Sequence, residues 1–107
     1  MDTWLAVEVA QVRSGTLVHL VGEVDISTIT AFERALRTPV FAPARVIADM
    51  AGVTFLSLQG ARALREANRR YSQDGIRFTV WRPHPTVTRT LKVGGVGDGI
   101  SITDGPL

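Results

Sequence analysis

The apolar run RVIADM, residues 45–50, is the feature that most restricts how this chain can fold. It is too short to cross a membrane, and its nearly continuous apolar character is typical of a strand that is buried on both faces. A strand of this kind needs helices packed against its sheet. The run therefore predicts a sheet covered by helices.

The segments before this run predict an antiparallel hairpin. LAVEVAQV (5–12) and TLVHLVGEV (16–24) alternate apolar and polar side chains, as half-buried strands do. The turn signal Arg13-Ser14-Gly15 separates them, and a connection this short joins adjacent antiparallel strands.

The segment DISTITAFERALRT (25–38) changes to helical spacing. Thr30 and Glu33 fit a capping box near its start. Three further residues are alternative caps: Asp25, Ser27 and Thr28. The start of this helix is therefore left open by the sequence.

The rest of the chain continues the alternation of strands and helices. The predicted segments are a loop at 39–44, a helix at 58–75 closed by Asp74-Gly75, a strand at 76–81, a short helix at 84–95 and a strand at 100–104. The order β-β-α-β-α-β-α-β predicts an α/β fold in which helices pack on one mixed sheet. Residues 1–107 are expected to form a single domain.

Composition excludes several classes of protein. The 107 residues include no cysteine, so disulfides and thiolate chemistry are absent. The first residues do not have the pattern of a signal peptide and no apolar stretch approaches about 20 residues, so we expect a soluble, cytoplasmic protein with no membrane insertion. The net charge is only +2, and the one basic concentration, at 62–70, is typical of a solvated helix face. Direct nucleic-acid binding is not expected.

The sequence offers no convergent set of catalytic groups. His19 lies in a predicted strand and His84 near a helix start, and neither has a partner at metal or triad spacing. Glu23 and Asp25 are interpreted as a solvated strand end. The glycine-rich segment 94–99 follows a helix and precedes a strand, unlike a phosphate-binding loop. We therefore expect no enzyme activity, no metal and no cofactor.

Two stretches resemble STAS domains, the family of bacterial anti-sigma factor antagonists. They are LVGEVDISTITAFERAL (20–36) and VIADMAGVTFLSLQGARAL (46–64). The remainder, at 74–102, resembles that family's strand, small helix and closing strand, so the resemblance covers nearly the whole chain. It implies the SpoIIAA-like fold and a protein-binding module whose partner is a kinase-type anti-sigma factor.

The resemblance also implies a switch, and this chain departs from it. Family members are inactivated when the kinase phosphorylates a serine in the turn before the second helix, which adds nearly two negative charges to the docking surface. The family's turn is matched at Phe55, Leu56 and Gly60. Ser57 stands where the family has aspartate, Leu58 where it has the phosphorylated serine, and Gln59 where it has a second hydroxyl.

Three hypotheses for this turn remain open. Phosphorylation has been lost, or Ser57 accepts the phosphate instead, or the domain serves another STAS setting such as a membrane transporter or a stress-signalling complex. Ser57 could equally be only a helix cap, and Leu58 either a docking residue or an inward-facing helix residue.

The resemblance predicts a partner-binding surface built from two loops and a helix start. Its expected residues are Asp25, Ser27, Thr28, Ser57, Leu58, Gln59 and Arg62. The function expected is that of an anti-sigma factor antagonist which regulates sigma-factor-dependent transcription. The alternative is an adaptor subunit of a transporter or stress complex. The sequence does not determine the oligomeric state.

Overall fold

The computed structural model describes residues 3–37, 45–95 and 99–107 and places its strands in one sheet. The elements are β1 (Leu5–Val12), β2 (Gly15–Val24), α1 (Ile29–Ala35), β3 (Arg45–Leu56), α2 (Leu58–Gln73), β4 (Arg77–Trp81), α3 (Pro85–Val93) and β5 (Ser101–Thr103). The predicted α/β class and element order are confirmed. The predicted loop at 39–44 and the middle of the glycine-rich segment lie outside the described residues.

The strands lie side by side in the order in which they occur along the chain. β1 pairs antiparallel with β2, which confirms the predicted hairpin, and the remaining neighbours are parallel. Each parallel connection contains a helix. Parallel crossovers are almost always right-handed, so consecutive crossovers that advance in one direction place their helices on the same face of the sheet.

One face of the sheet packs against the helices in a single apolar core. Alternate strand residues such as Leu20, Met50 and Val80 belong to the same buried cluster as the inward residues of α1, α2 and α3. In the described part of the chain, all three helices contribute to this one core. The prediction of a helix-covered sheet therefore holds for one face. Ile47, on the other face, is also fully buried, so β3 is buried on both faces as expected.

β3 is longer than predicted and extends from residue 45 to Leu56 instead of ending at residue 50. Its pairing with β4 ends at Asp49, whereas its pairing with β2 continues to Leu56 through two irregularities in register. Ala51 and Gly52 have low strand propensity, and the hydrogen bonds to β2 override that preference. α3 packs against β3.

The first helix is shorter than predicted and begins at Ile29. Thr28 is its N-cap residue, and no side chain forms a capping hydrogen bond, so the Thr30–Glu33 capping box is wrong. The helix is instead fixed at its other end. The hydroxyl of Tyr71 and Nη2 of Arg70 both donate to the carbonyl oxygen of Leu36, the second over 3.2 Å.

We predict that Gly60→Ala destabilises the domain. A Cβ at this buried position would lie 2.5 Å from Cδ1 of Leu56 and 2.8 Å from Cγ1 of Val24, both of which are themselves buried. Overpacking of this kind costs about 1–3 kcal/mol, which exceeds the gain in helix propensity. Urea unfolding measures the loss.

The matched control is Ser72→Ala, at an exposed position of the same helix. It should change the unfolding free energy by no more than about 0.5 kcal/mol. Equal stability of the two variants would contradict the prediction and show that the side chains of Leu56 and Val24 move to accommodate the added methyl group.

Candidate functional site

The carboxyl ends of β2 and β3 bring the two predicted loops together. Val24 and Leu56 are register partners at the ends of these strands. The backbone N–H of Ser57 then donates to the carbonyl oxygen of Val24 over 2.9 Å. The loop that contains Asp25 and the turn that contains Ser57 are therefore neighbours at the carboxyl ends of the two strands.

Asp25 organises the first of these loops. Its Oδ1 accepts hydrogen bonds from the Ser27 hydroxyl at 2.7 Å, the Ser27 backbone N–H at 2.9 Å and the Thr3 hydroxyl at 3.0 Å. The hydroxyls of Ser27 and then Thr3 lower the pKa of Asp25, against a smaller effect of burial and with help from backbone N–H groups. The carboxylate is thus held in its charged form within the loop.

Thr28 lies inside the same loop and shows little surface. Its side chain is buried, and its hydroxyl donates to the carbonyl oxygen of Glu23 over 2.7 Å. The Thr28 hydroxyl oxygen itself accepts a hydrogen bond from the backbone N–H of Asp25 over 3.0 Å. Ser27 is exposed. Of the predicted loop residues, Ser27 and Asp25 are therefore the ones at the surface.

Ser57 caps α2, as the capping hypothesis expects. Its Oγ accepts from the backbone N–H of Gly60 over 3.1 Å, which satisfies one of the unpaired donors of the first turn. Leu58 follows as the first helical residue with 47% of its surface exposed, so the inward-facing interpretation of this residue is wrong. Gln59 and Arg62 are also exposed.

An apolar patch lies beside this turn, and of its members the sequence interpretation identified only Leu58 as a docking residue. We define the apolar patch as Phe55, Leu58 and Val93, which are 51%, 47% and 73% exposed. They line one shallow groove together with Arg89 and Thr90 of α3. The signal for Val93 was present in the helical spacing, because a helix that buries Val87 and Leu91 directs Val93 outwards.

The family model of the STAS domain matches residues 6–105 of this chain. The chain belongs to the STAS domain family. No curated protein matches its sequence.

Solved structures resemble this STAS domain at low sequence identity. An anti-sigma factor antagonist from Mycobacterium paratuberculosis is 19% identical with a TM-score of 0.76, over 92% of this chain and 85% of that one. The unphosphorylated form of the anti-sigma factor antagonist SpoIIAA is 18% identical with a TM-score of 0.68, over 92% and 89%. The murine anion transporter Slc26a9 is 24% identical with a TM-score of 0.66, over 76% of this chain and 14% of the transporter. These likenesses confirm the fold.

The open face of the STAS sheet carries a polar cluster that the sequence interpretation missed. Oδ2 of Asp49 accepts from Nδ1 of His19 at 2.9 Å and from Nη2 of Arg82 at 3.0 Å, while Oδ1 accepts from the backbone N–H of Ala51 at 3.1 Å. The guanidinium of Arg82 lies 3.8 Å from the ring centroid of Trp81. His19 thus has a hydrogen-bond partner that the sequence did not indicate, because that partner lies thirty positions away in the chain.

His84 also has a partner that the sequence did not indicate. Its Nε2 lies 2.8 Å from the carbonyl oxygen of Ala51, which can only accept, so the ring donates this hydrogen bond. His84 is the N-cap residue of α3, as expected, although its side chain makes no capping hydrogen bond. The ring thus fixes the start of α3 to β3.

Nothing in the described ranges 3–37, 45–95 and 99–107 resembles a metal centre, since no group of three or more histidine, aspartate or glutamate side chains converges there. Among the helices described, none is long and apolar enough to span a bilayer. The Asp25 loop, the Ser57 turn and the apolar patch together offer an exposed contact surface and hydrogen-bonding groups.

We predict that Asp49 makes folding stability depend on acidity. Burial acts to raise the pKa of Asp49, but hydrogen bonds from Ala51, His19 and Arg82 outweigh it and leave the pKa below its usual value. A carboxyl whose pKa is lower in the folded state stabilises the fold above its unfolded pKa. That contribution is lost as the pH falls below about 4.

Unfolding free energies measured from neutral pH to acid test this prediction. Asp49→Asn should cost about 2 kcal/mol at neutral pH, because it removes charge-assisted hydrogen bonds to partly exposed partners. The unfolding free energy of the variant should also fall less in acid than that of the wild type. The part of the fall that remains arises from Asp25 and Glu66, whose pKa values are likewise lowered. Identical acid profiles for the two proteins would contradict the prediction.

Proposed function

We propose that this STAS domain is an anti-sigma factor antagonist that binds a kinase-type anti-sigma factor in a bacterial cytoplasm and so regulates sigma-factor-dependent transcription. The observation that carries the proposal is the apolar patch, which lies at the turn where the family resemblance predicts a docking surface. Phe55 and Leu58 are about half exposed there, and Val93 more so. Exposed apolar groups clustered beside a shallow groove mark a site of association.

The physical role of the patch is to lose water on binding. Burying a large apolar side chain contributes about 1.5–3 kcal/mol, so three such residues supply a substantial part of a moderate affinity. The predicted polar contacts form the rim of this surface: Asp25, Ser27, Ser57, Gln59 and Arg62. Thr28, which is buried, contributes by holding the shape of its loop.

The proposal includes loss of the usual phosphorylation switch. Leu58 occupies the position of the family's phosphorylated serine and has no hydroxyl. The neighbouring Ser57 hydroxyl accepts the capping hydrogen bond from Gly60. Binding would therefore be constitutive, and control would act through the abundance of the protein. Phosphorylation at Ser57 is the competing outcome.

A role as the STAS part of a membrane transport complex is the second candidate. The likeness to part of the anion transporter Slc26a9 favours it at the level of the fold. The two candidates differ in what they bind. An antagonist retains a kinase-like anti-sigma factor, whereas a transport adaptor retains a membrane subunit or its ATPase.

We predict that Leu58→Asp abolishes partner binding and leaves the domain folded. The new carboxylate would have to lose its hydration in the centre of the interface. An acidic residue in the first turn of a helix is tolerated by the helix itself, so unfolding should change little. Titration against the purified anti-sigma factor kinase should show at least a hundredfold loss of affinity, which corresponds to about 2.7 kcal/mol.

The control is Val12→Asp, which changes another exposed valine at the opposite end of the sheet, beside the hairpin turn. It should bind like the wild type. Affinity capture of wild type and both variants from the native cells, followed by intact-mass measurement, completes the test. An unmodified bait that retains an anti-sigma factor supports the proposal. A phosphorylated Ser57 would overturn the switchless mode, and capture of a transporter subunit would overturn the antagonist function.

A further inference from the structure

β1 is an edge strand with little to prevent further pairing. It lies at one end of the sheet, and in the described part of the chain only β2 pairs with it. Its eight residues are in continuous register with β2, without a bulge. The strand contains no proline and no lysine or arginine, and Glu8 is its one charged residue. Natural edges usually carry such protective features, because free backbone groups attract another strand.

The side chains of this edge are apolar on the side that faces the helices. Val7 and Val9 are the register partners of Leu20 and Val18, both of which are fully buried core residues. Val7 is nevertheless 37% exposed and Val9 49% exposed, because β1 lies at the margin of the helix layer. Leu5, on the same face, packs against the core. The apolar core therefore extends to β1, where its outermost side chains remain partly exposed to solvent.

We propose that β1 is a self-association surface: a second copy of this chain pairs with it antiparallel, about a two-fold axis at Val7. The two sheets then form one sheet with both helix layers on the same face. The two rows of apolar β1 residues meet and close the core across the interface.

The occupant is a second copy because the strand complements itself in this register. With the axis at Val7, each Val7 lies opposite the other, and Leu5 lies opposite Val9 twice. Such cross-strand apolar pairs stabilise a sheet. On the other face Glu8 lies opposite Ala6, so no like charges meet. An axis at Glu8 would set two carboxylates against each other, and an axis at Val9 would pair Val7 with Gln11.

The proposed interface leaves the apolar patch accessible. The patch lies at the turn that follows β3, and β2 separates β3 from β1 in the sheet. A dimer would thus present two copies of the patch. The proposal stands on the edge strand alone and is independent of which partner the patch binds.

Light scattering over a concentration series tests the association. We expect the mass to rise from the 11.6 kDa of the chain towards twice that value. Val7→Lys should keep the monomer mass at all concentrations. The control Val93→Lys changes a more exposed valine outside the edge and should dimerise like the wild type. A wild type that stays monomeric, or a Val7→Lys variant that still dimerises, would overturn the proposal.

Cross-linking of single-cysteine variants tests the register, because the chain has no cysteine of its own. Cysteines at position 7 would face each other across the axis with Cβ atoms about 5 Å apart, whereas cysteines at position 9 would lie about 14 Å apart along the strands. Under oxidation, Val7→Cys should yield covalent dimers and Val9→Cys should not. The reverse result would overturn the register centred on Val7.

Discussion

The rest of the structure depends on the parallel pairing of β2 with β3. This pairing joins the hairpin to the crossover units, and it continues past the last contact of β3 with β4. Because the two strands end together at Val24 and Leu56, the loops that follow them become neighbours. The partner surface proposed for this STAS domain exists only because these strand ends are aligned.

The sequential order of the strands also determines how the two faces of the sheet differ. Crossovers of one hand that advance in one direction put the described helices on one face, where they form the apolar core. On the opposite face, which these helices do not cover, polar side chains cover the central strand β3. Asp49 is 2% exposed there, and it is held by His19 of β2 and by Arg82, which directly follows β4. A fully hydrogen-bonded carboxylate is stable in such a place, whereas an unpaired one would not be.

Much of the fold could be predicted from periodicity, because β1, β2, α2, β4, α3 and β5 carry their own patterns of apolar spacing. Two elements could not. The end of β3 contains Ala51 and Gly52, and only hydrogen bonds from β2 make this stretch a strand. Several residues near the start of α1 were suitable as the N-cap. Thr28 takes that position in the structure, where its hydroxyl donates to the carbonyl oxygen of Glu23. In the first case a long-range strand pairing outweighed a local preference, and in the second a hydrogen bond across five residues selected one of several local caps.

The sequence by itself determined the class of fold, the family resemblance and the absence of a hydroxyl at position 58, because these properties belong to residue types and their spacing. Tertiary structure decided which groups are exposed and which meet. It directed Phe55, Leu58 and Val93 into one patch, joined His19 to Asp49 and, within the described ranges, left the outer edge of β1 without a neighbouring strand. The physical reason is that exposure and pairing depend on contacts between residues far apart in the chain, and those contacts are fixed only when the strands find their register.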